Sequence, residues 1–257
     1  LWHIPHLGAY FLVPLFWLVV ERSLPYRPQA PWRHAAVVGV LLGVGGLTYD
    51  LHLPLLAWLL LAEGPGVLMG TIPARWAGLA RLALTLLCLG LVLLGWMWLS
   101  EHVLVDRVES LNESGPAVRR SLEQLLTLGP LPFVMQRGAM LLELLGRAFS
   151  LPVLGAAAVG VWALPRRWAV RSVLLVAVFS AGAVLTKGEA RVLVPASAGV
   201  CLLAAGAAVG AGRAIGRLLG ERRDGRLQGL MAALLLGAVF LSTHGELWGD
   251  YAVLRAW

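Results

Sequence analysis

The sequence predicts an all-α fold: a polytopic transmembrane helical bundle of about eight apolar segments, with interfacial amphipathic helices in one outer loop. Three observations carry this. Hydrophobic residues make up 59% of the chain and charged residues only 14%, where a soluble domain carries roughly a quarter charged. Mean hydropathy is +0.78, and the longer uninterrupted apolar stretches approach the roughly 20 residues that cross a bilayer. The arginines gather in the connections between those stretches. Lipid is the solvent in which such a chain can keep its apolar surface covered.

The formal charge of +7 and pI near 10.4 would point to nucleic acid in a soluble protein. In a membrane protein the same excess follows from the positive-inside bias. No basic run interleaves with aromatics in the way single-strand binding requires, so no nucleic-acid partner is expected. Cys88 and Cys201 both lie inside apolar segments. There they read as small hydrophobes, not as a disulfide or metal ligands.

In chain order the apolar segments are 7–20, 35–48, 53–63, 80–100, 149–164, 168–186, 192–212 and 228–243. Segments 35–48 and 53–63 are too short to span alone. They read as two half-length or tilted helices meeting at a polar elbow, Thr48-Tyr49-Asp50-Leu51-His52-Leu53-Pro54. Polar backbone at membrane depth is tolerated only against protein or a watery cavity. Residues 1–100 therefore form a first set of transmembrane helices that includes the broken pair at 35–63. Residues 101–148 form an extracytoplasmic loop, and 149–257 a closing set of transmembrane helices.

Charge sets the orientation. Loops 21–34, 64–81, 165–171 and 213–226 hold thirteen of the 21 basic residues. If they share one side, that side is the cytoplasm, and the membrane is the plasma (inner) membrane of a bacterium. The outer loop carries two amphipathic stretches, 116–128 and 133–147. Pro116 stands at a helix start, Leu122, Leu125, Leu126 and Leu128 are apolar, and Arg119, Arg120 and Glu123 lie elsewhere on the first helix. Met140, Leu141, Leu144 and Leu145 form the stripe of the second. Such helices suit the membrane interface, or equally a packed extramembrane cap.

Charges near membrane depth are costly and mark candidate sites. Three groups qualify. Tyr49, Asp50 and His52 at the elbow could line a substrate cavity or relay a proton, or simply cap the second half-helix. Glu101 and His102 stand at the outer end of segment 80–100, inside which Trp96 and Trp98 fit the aromatic belt. Lys187, Glu189 and Arg191 occupy a tight outer loop, and Lys187 is the only lysine in the chain. Two cations there run against the charge bias, and a lipid phosphate would recruit them. The alternative is a salt bridge to Glu189 or a neighbouring acid. The sequence carries no Gly-rich phosphate loop and no His-Glu-x-x-His metal motif. A divalent metal is left open.

Two stretches resemble a known family. Gly39 to Thr48, followed by a polar dipeptide and a Leu-rich helix, is similar to a recurrent segment of the GT-C glycosyltransferases. Thr186-Lys187-Gly188-Glu189-Ala190-Arg191, continuing through Pro195 to Gly206, resembles their late Lys…Arg-Tyr-Leu-Leu-Pro segment. The group in question uses polyprenyl-phosphate sugars and includes protein mannosyltransferases and aminoarabinose transferases. The long outer loop before the closing helices is also similar. The resemblance implies transfer of a sugar from a polyprenyl-phosphate donor to an acceptor on the extracytoplasmic face, with Lys187 and Arg191 holding the lipid phosphate. A lipid-linked sugar donor and membrane lipid are then the expected partners. The family's acidic first outer loop supplies a carboxylate that takes the acceptor's proton. On this reading the chain is N-terminally incomplete and that carboxylate lies upstream of Leu1. Where the family has Arg-Tyr, this chain has Arg191-Val192. The competing readings are a transporter or lipid flippase, for which broken half-helices are a known device, and a noncatalytic membrane subunit of a larger complex.

Overall fold

The computed structural model describes residues 4–49, 52–103, 114–185, 193, 196–218 and 233. Among them the chain is helical: α1 (Ile4–Ser23), α2 (Trp32–Tyr49), α3 (His52–Leu68), α4 (Ile72–Val103), α5 (Ser114–Leu128), α6 (Pro130–Ala148), α7 (Leu151–Ala163), α8 (Arg166–Leu185) and α9 (Ser197–Leu218). Each expected segment from 7 to 212 corresponds to one of these helices. Segment 228–243 lies outside the described residues except for position 233.

Three helices are long and apolar enough to cross a membrane by length and composition: Ile72–Leu99, Arg166–Leu185 and Ser197–Ile215. A fourth candidate is the pair Pro130–Gly146 and Leu151–Ala163, bent by 108°. Helices α2 and α3 run to 18 and 17 residues, about 27 and 26 Å at 1.5 Å per residue. They are longer than half-helices, because the backbone stays helical past the last apolar residue. In α3 it passes Glu63 and even Pro65 before stopping at Leu68.

Glycines fix the helix directions. A Cβ on Gly39 would strike the Thr85 carbonyl and Cys88, and one on Gly43 would lie 2.5 Å from Val92. The contacts advance together along both helices, so α2 and α4 run parallel, and α3, joined to each by a short connection, runs back between them. The second half repeats the device. Gly160 abuts the Leu203 carbonyl, Gly206 abuts Leu164, and a Cβ on Gly210 would lie 2.9 Å from Ala163. Helices α7 and α9 are therefore parallel, with α8 opposed. Such close approach is what small residues supply where lipid removes the hydrophobic drive between helices. Within each of these two units the chain reverses direction from one helix to the next.

The two units meet through their middle helices. Trp58 of α3 donates from Nε1 to the Arg171 carbonyl of α8 at 2.9 Å. Helix α1 lies across this seam: Phe16 and Trp17 pack on Trp58 with ring centroids 5.9 and 5.3 Å away. Leu42, Leu55, Leu59, Leu175 and Phe179 complete a buried core spanning both units. Fully burying side chains of this size contributes about 1.5–3 kcal/mol each in water; in lipid the gain comes from packing.

The α5–α6 pair caps one end. Gly129 joins the two helices at φ 80°, a left-handed conformation that glycine adopts without strain. Arg137 bridges them, donating to Gln124 Oε1 at 2.6 Å. The expected stripe of α6 turns inward: Leu144 is buried with Ala183 of α8 and with Leu193, and Met140, Leu141 and Leu145 pack around them. A second stripe, Leu131, Met135 and Leu142, is left exposed. The pair is thus both a packed cap and an amphipathic surface.

Candidate functional site

The main concentration of buried charge among the described residues lies at the end opposite that cap. Arg171 stands one turn after Arg167 on α8, on the face that meets α1 and α3. Its guanidinium donates through Nη1 to Glu21 of α1 and through Nη2 to Glu63 of α3. Only 8% of the Arg171 side chain is exposed, against 6% for Glu21 and 18% for Glu63. Arg167 reaches the other Glu21 oxygen at 3.2 Å. Two carboxylates and two guanidiniums balance, which is the condition for keeping charge away from water. The cluster ties three helices and both units together. Trp17 and Trp168 stack beside it, rings nearly parallel at 6.3 Å. The Trp17 indole N–H is buried with no hydrogen-bond partner among the described residues.

A second polar group pins the connection between α1 and α2 onto α4. Arg81, buried, donates to the carbonyls of Pro28 at 2.7 Å, Ala30 at 2.9 Å and Ala77 at 3.0 Å, with Trp32 lying 4.6 Å over its guanidinium. The hydroxyls of Tyr26 and Thr85 are 3.0 Å apart, and Thr85 donates onward to the Ala35 carbonyl at 3.0 Å. Burial pushes the Tyr26 phenol well above its ordinary range; the hydrogen bond to Thr85 opposes this and the Glu63 carboxylate adds to it.

This shift has a testable sign. The folded phenol holds its proton to higher pH than the unfolded one, which ionises near 10. The stability it contributes is complete below pH 10 and is lost as pH rises beyond. Tyr26→Phe should cost about 1 kcal/mol at neutral pH, from the lost hydrogen bond. It should also flatten the decline in stability above pH 10, read as melting temperature against pH. A variant whose alkaline profile matches the parent would show that another group controls that decline.

Those residues singled out in the sequence that are described lie at the other end. Tyr49 closes α2, His52 opens α3, and Glu101 and His102 fall in the last turn of α4. Asp50, Lys187, Glu189 and Arg191 lie outside the described residues. Trp58 meets the Arg171 carbonyl while Glu63, further along α3, lies toward both Arg171 and Arg167, so α3 runs against α8. With α2 and α4 parallel, the ends bearing Tyr49, His52, Glu101 and His102 share one end of the bundle with Leu185, where α8 stops. Leu193, after the Lys187 segment, is buried against α6. Leu185 and Leu193, the described residues on either side of positions 186–192, both lie at the capped end.

The ionic cluster was not singled out from the sequence. Its signal was there: Glu21 and Glu63 are acids in, or bordering, the Arg-rich connections, each directly following a long apolar run. Among the described residues no group of three or more His, Cys, Asp or Glu side chains is placed to hold a metal ion. Comparison with known proteins gives no match to this chain in family models, curated proteins or solved structures.

Proposed function

We propose that the chain is a membrane-embedded glycosyltransferase of GT-C type, moving a sugar from a polyprenyl-phosphate donor to an acceptor on the extracytoplasmic face, with Lys187 and Arg191 holding the lipid phosphate. The supporting observation is one of depth. Trp168 to Leu185 along α8 is 17 residues, roughly 26 Å, close to the thickness of the hydrocarbon core. The chain thus leaves α8 at headgroup level on the far side from the arginines, beneath the amphipathic cap. That is the level of a lipid phosphate. Exposed Trp76 and Trp98 on α4, about 33 Å apart along the helix, fit the two aromatic belts of the same bilayer. In this reading the eight apolar segments all cross or enter the plasma membrane and the Arg-rich ends face the cytoplasm. No carboxylate of this chain is assigned as the catalytic base.

The test is binding of a polyprenyl monophosphate to the full chain in nanodiscs. Replacing both Lys187 and Arg191 with alanine removes two charge-assisted contacts of about 1.5–3 kcal/mol each, so affinity should fall about a hundredfold or more. Unchanged affinity would remove the site on which the reading stands.

A second reading, lipid or solute transport, is favoured by the helix order. Each unit has a glycine-packed parallel pair around an opposed middle helix, and the middle helices pack on each other running in opposite directions. Inverted repeats of this kind are a transporter device. Leaflet-to-leaflet movement of a polyprenyl-phosphate sugar in sealed proteoliposomes, with no sugar released, would favour it over transfer.

A further inference from the structure

We propose that the bilayer is thinned beside α7, where α6 lies across the capped end as an interfacial helix and draws the adjoining leaflet about 10 Å closer to the opposite one than it is beside α4. The thinning requires that the chain cross a bilayer and is independent of the transfer reaction. Helix length carries the first part. Only Leu164 and Pro165 separate α7 from α8, so the two helices are level at the Arg-rich end and extend from there toward the cap. Helix α8 has 20 residues and α7 has 13, about 30 and 20 Å. Helix α7 therefore stops about 10 Å short of its neighbour. Helix α9 does not make up the difference. A Cβ on Gly199, near its start, would lie 2.8 Å from the carbonyl oxygen of Ser172, so α9 too begins part-way along α8. On the opposite flank α4 stays apolar over 28 residues, Ile72–Leu99.

The partner is phospholipid, because the short helix still presents an apolar face. Leu151, Val159 and Trp162 of α7 are exposed, and Trp162 fits the aromatic belt at the Arg-rich end. The surface of α6 marks the other boundary. Its Leu144 packs on Ala183 of α8, 15 residues or about 23 Å from Trp168. Leu131, Met135 and Leu142 form an exposed stripe on α6, whereas Gln136 and Glu143 form a separate exposed polar line two turns long. A helix with both surfaces lies in the interface, its apolar face in the acyl boundary and its polar face in water. A slab as thick as the roughly 33 Å between Trp76 and Trp98 would submerge Gln136 and Glu143 in hydrocarbon, where a carboxylate is costly. A short span is accommodated instead by thinning the bilayer, at a modest cost per ångström.

Two exposed leucines give a matched comparison. Trp76 to Leu87 and Trp162 to Leu151 are both 11 residues, about 17 Å, so Leu87 and Leu151 stand at one height above the Arg-rich end. Single nitroxide labels replace Leu87, Leu151, Met135 or Gln136, all exposed, in a cysteine-free full chain in phosphatidylcholine–phosphatidylglycerol vesicles. Depth is read by power-saturation EPR from collision with oxygen, which favours the acyl interior, and with a water-soluble nickel chelate. The Leu87 label should lie near the bilayer centre and the Leu151 label about 10 Å shallower. The Met135 label should meet oxygen and its neighbour at Gln136 should meet nickel. Equal depths at Leu87 and Leu151 overturn the thinning. So does a Leu151 label that neither agent reaches, which marks a protein partner on α7. Nickel reaching Met135 and Gln136 alike overturns the interfacial seat of α6. Nickel reaching Leu87 overturns the membrane placement itself, whereas the transfer reading fails separately, on unchanged lipid binding by the Lys187 and Arg191 variant.

Discussion

Arg171→Ala should lower the stability of the purified chain by about 3–5 kcal/mol, the cost of breaking a buried ion pair by removing one partner. Arg171 is the group between two carboxylates, and without it Glu21 and Glu63 face each other with side chains 6% and 18% exposed. Arg167 forms a direct ion pair with Glu21, and from a position that is 44% exposed, so solvent screens that contact. Arg167→Ala should accordingly cost no more than about 1 kcal/mol. The penalty for Arg171→Ala is electrostatic rather than a cavity effect, and a combined variant separates the two. Arg171→Met with Glu21→Gln and Glu63→Gln removes all charge at roughly constant volume and should recover most of the loss, since replacing a whole buried ion cluster is often neutral. Equilibrium unfolding in one detergent measures all three. Equal losses for Arg171→Ala and Arg167→Ala would mean that the cluster is not insulated from water.

How much of this was legible in the sequence depends on the range of the signal. Helix positions were, because apolar runs and their Arg-bearing ends are local: the run 80–100 became part of α4 and the run 168–186 most of α8. Reversal of direction within α2–α4 and within α7–α9 follows from the short connections that join those helices. Helix length was less legible. The apolar run stops at Glu63, whereas α3 continues to Leu68, because a helix needs hydrogen bonds and space rather than apolar side chains. Side-chain partners over long separations were not legible at all. Glu21 and Arg171 are 150 residues apart, and charge counting places both on the same side without saying that they touch. The stripe Met140, Leu141, Leu144 and Leu145 was visible as a stripe, but only the packing against Ala183 and Leu193 shows that it faces the bundle. Gly39, Gly43, Gly206 and Gly210 are points of close helix approach. The same residue type at Gly64 and Gly66 serves no such contact, a difference that composition cannot register.

Gly160→Val should be the most damaging change in the second unit, at about 3 kcal/mol, the upper end of the usual cost of overpacking. The reason is what the added atoms would meet. At Gly160 a Cβ runs into the Leu203 carbonyl, its carbon and its Cα, all backbone. A side chain could rotate away; a neighbouring helix backbone cannot, so α7 and α9 must move apart. That separation is felt along the whole parallel seam, at Leu164 against Gly206 and Ala163 against Gly210, and in the cluster of Val153, Ala157, Val200 and Leu203. In lipid no hydrophobic drive closes the gap again, because acyl chains fill it as well as side chains do. Gly155, also on α7, is the internal control, since a Cβ there meets nothing within 4 Å. Gly155→Ala should be neutral or stabilising by up to about 1 kcal/mol through helix propensity alone. Unfolding midpoints of the two variants in the same detergent should therefore move in opposite directions or differ by most of the Gly160 loss. If both shift equally, the pairing of α7 with α9 does not set the stability of this unit, and the parallel seam is a consequence of the fold rather than a cause of it.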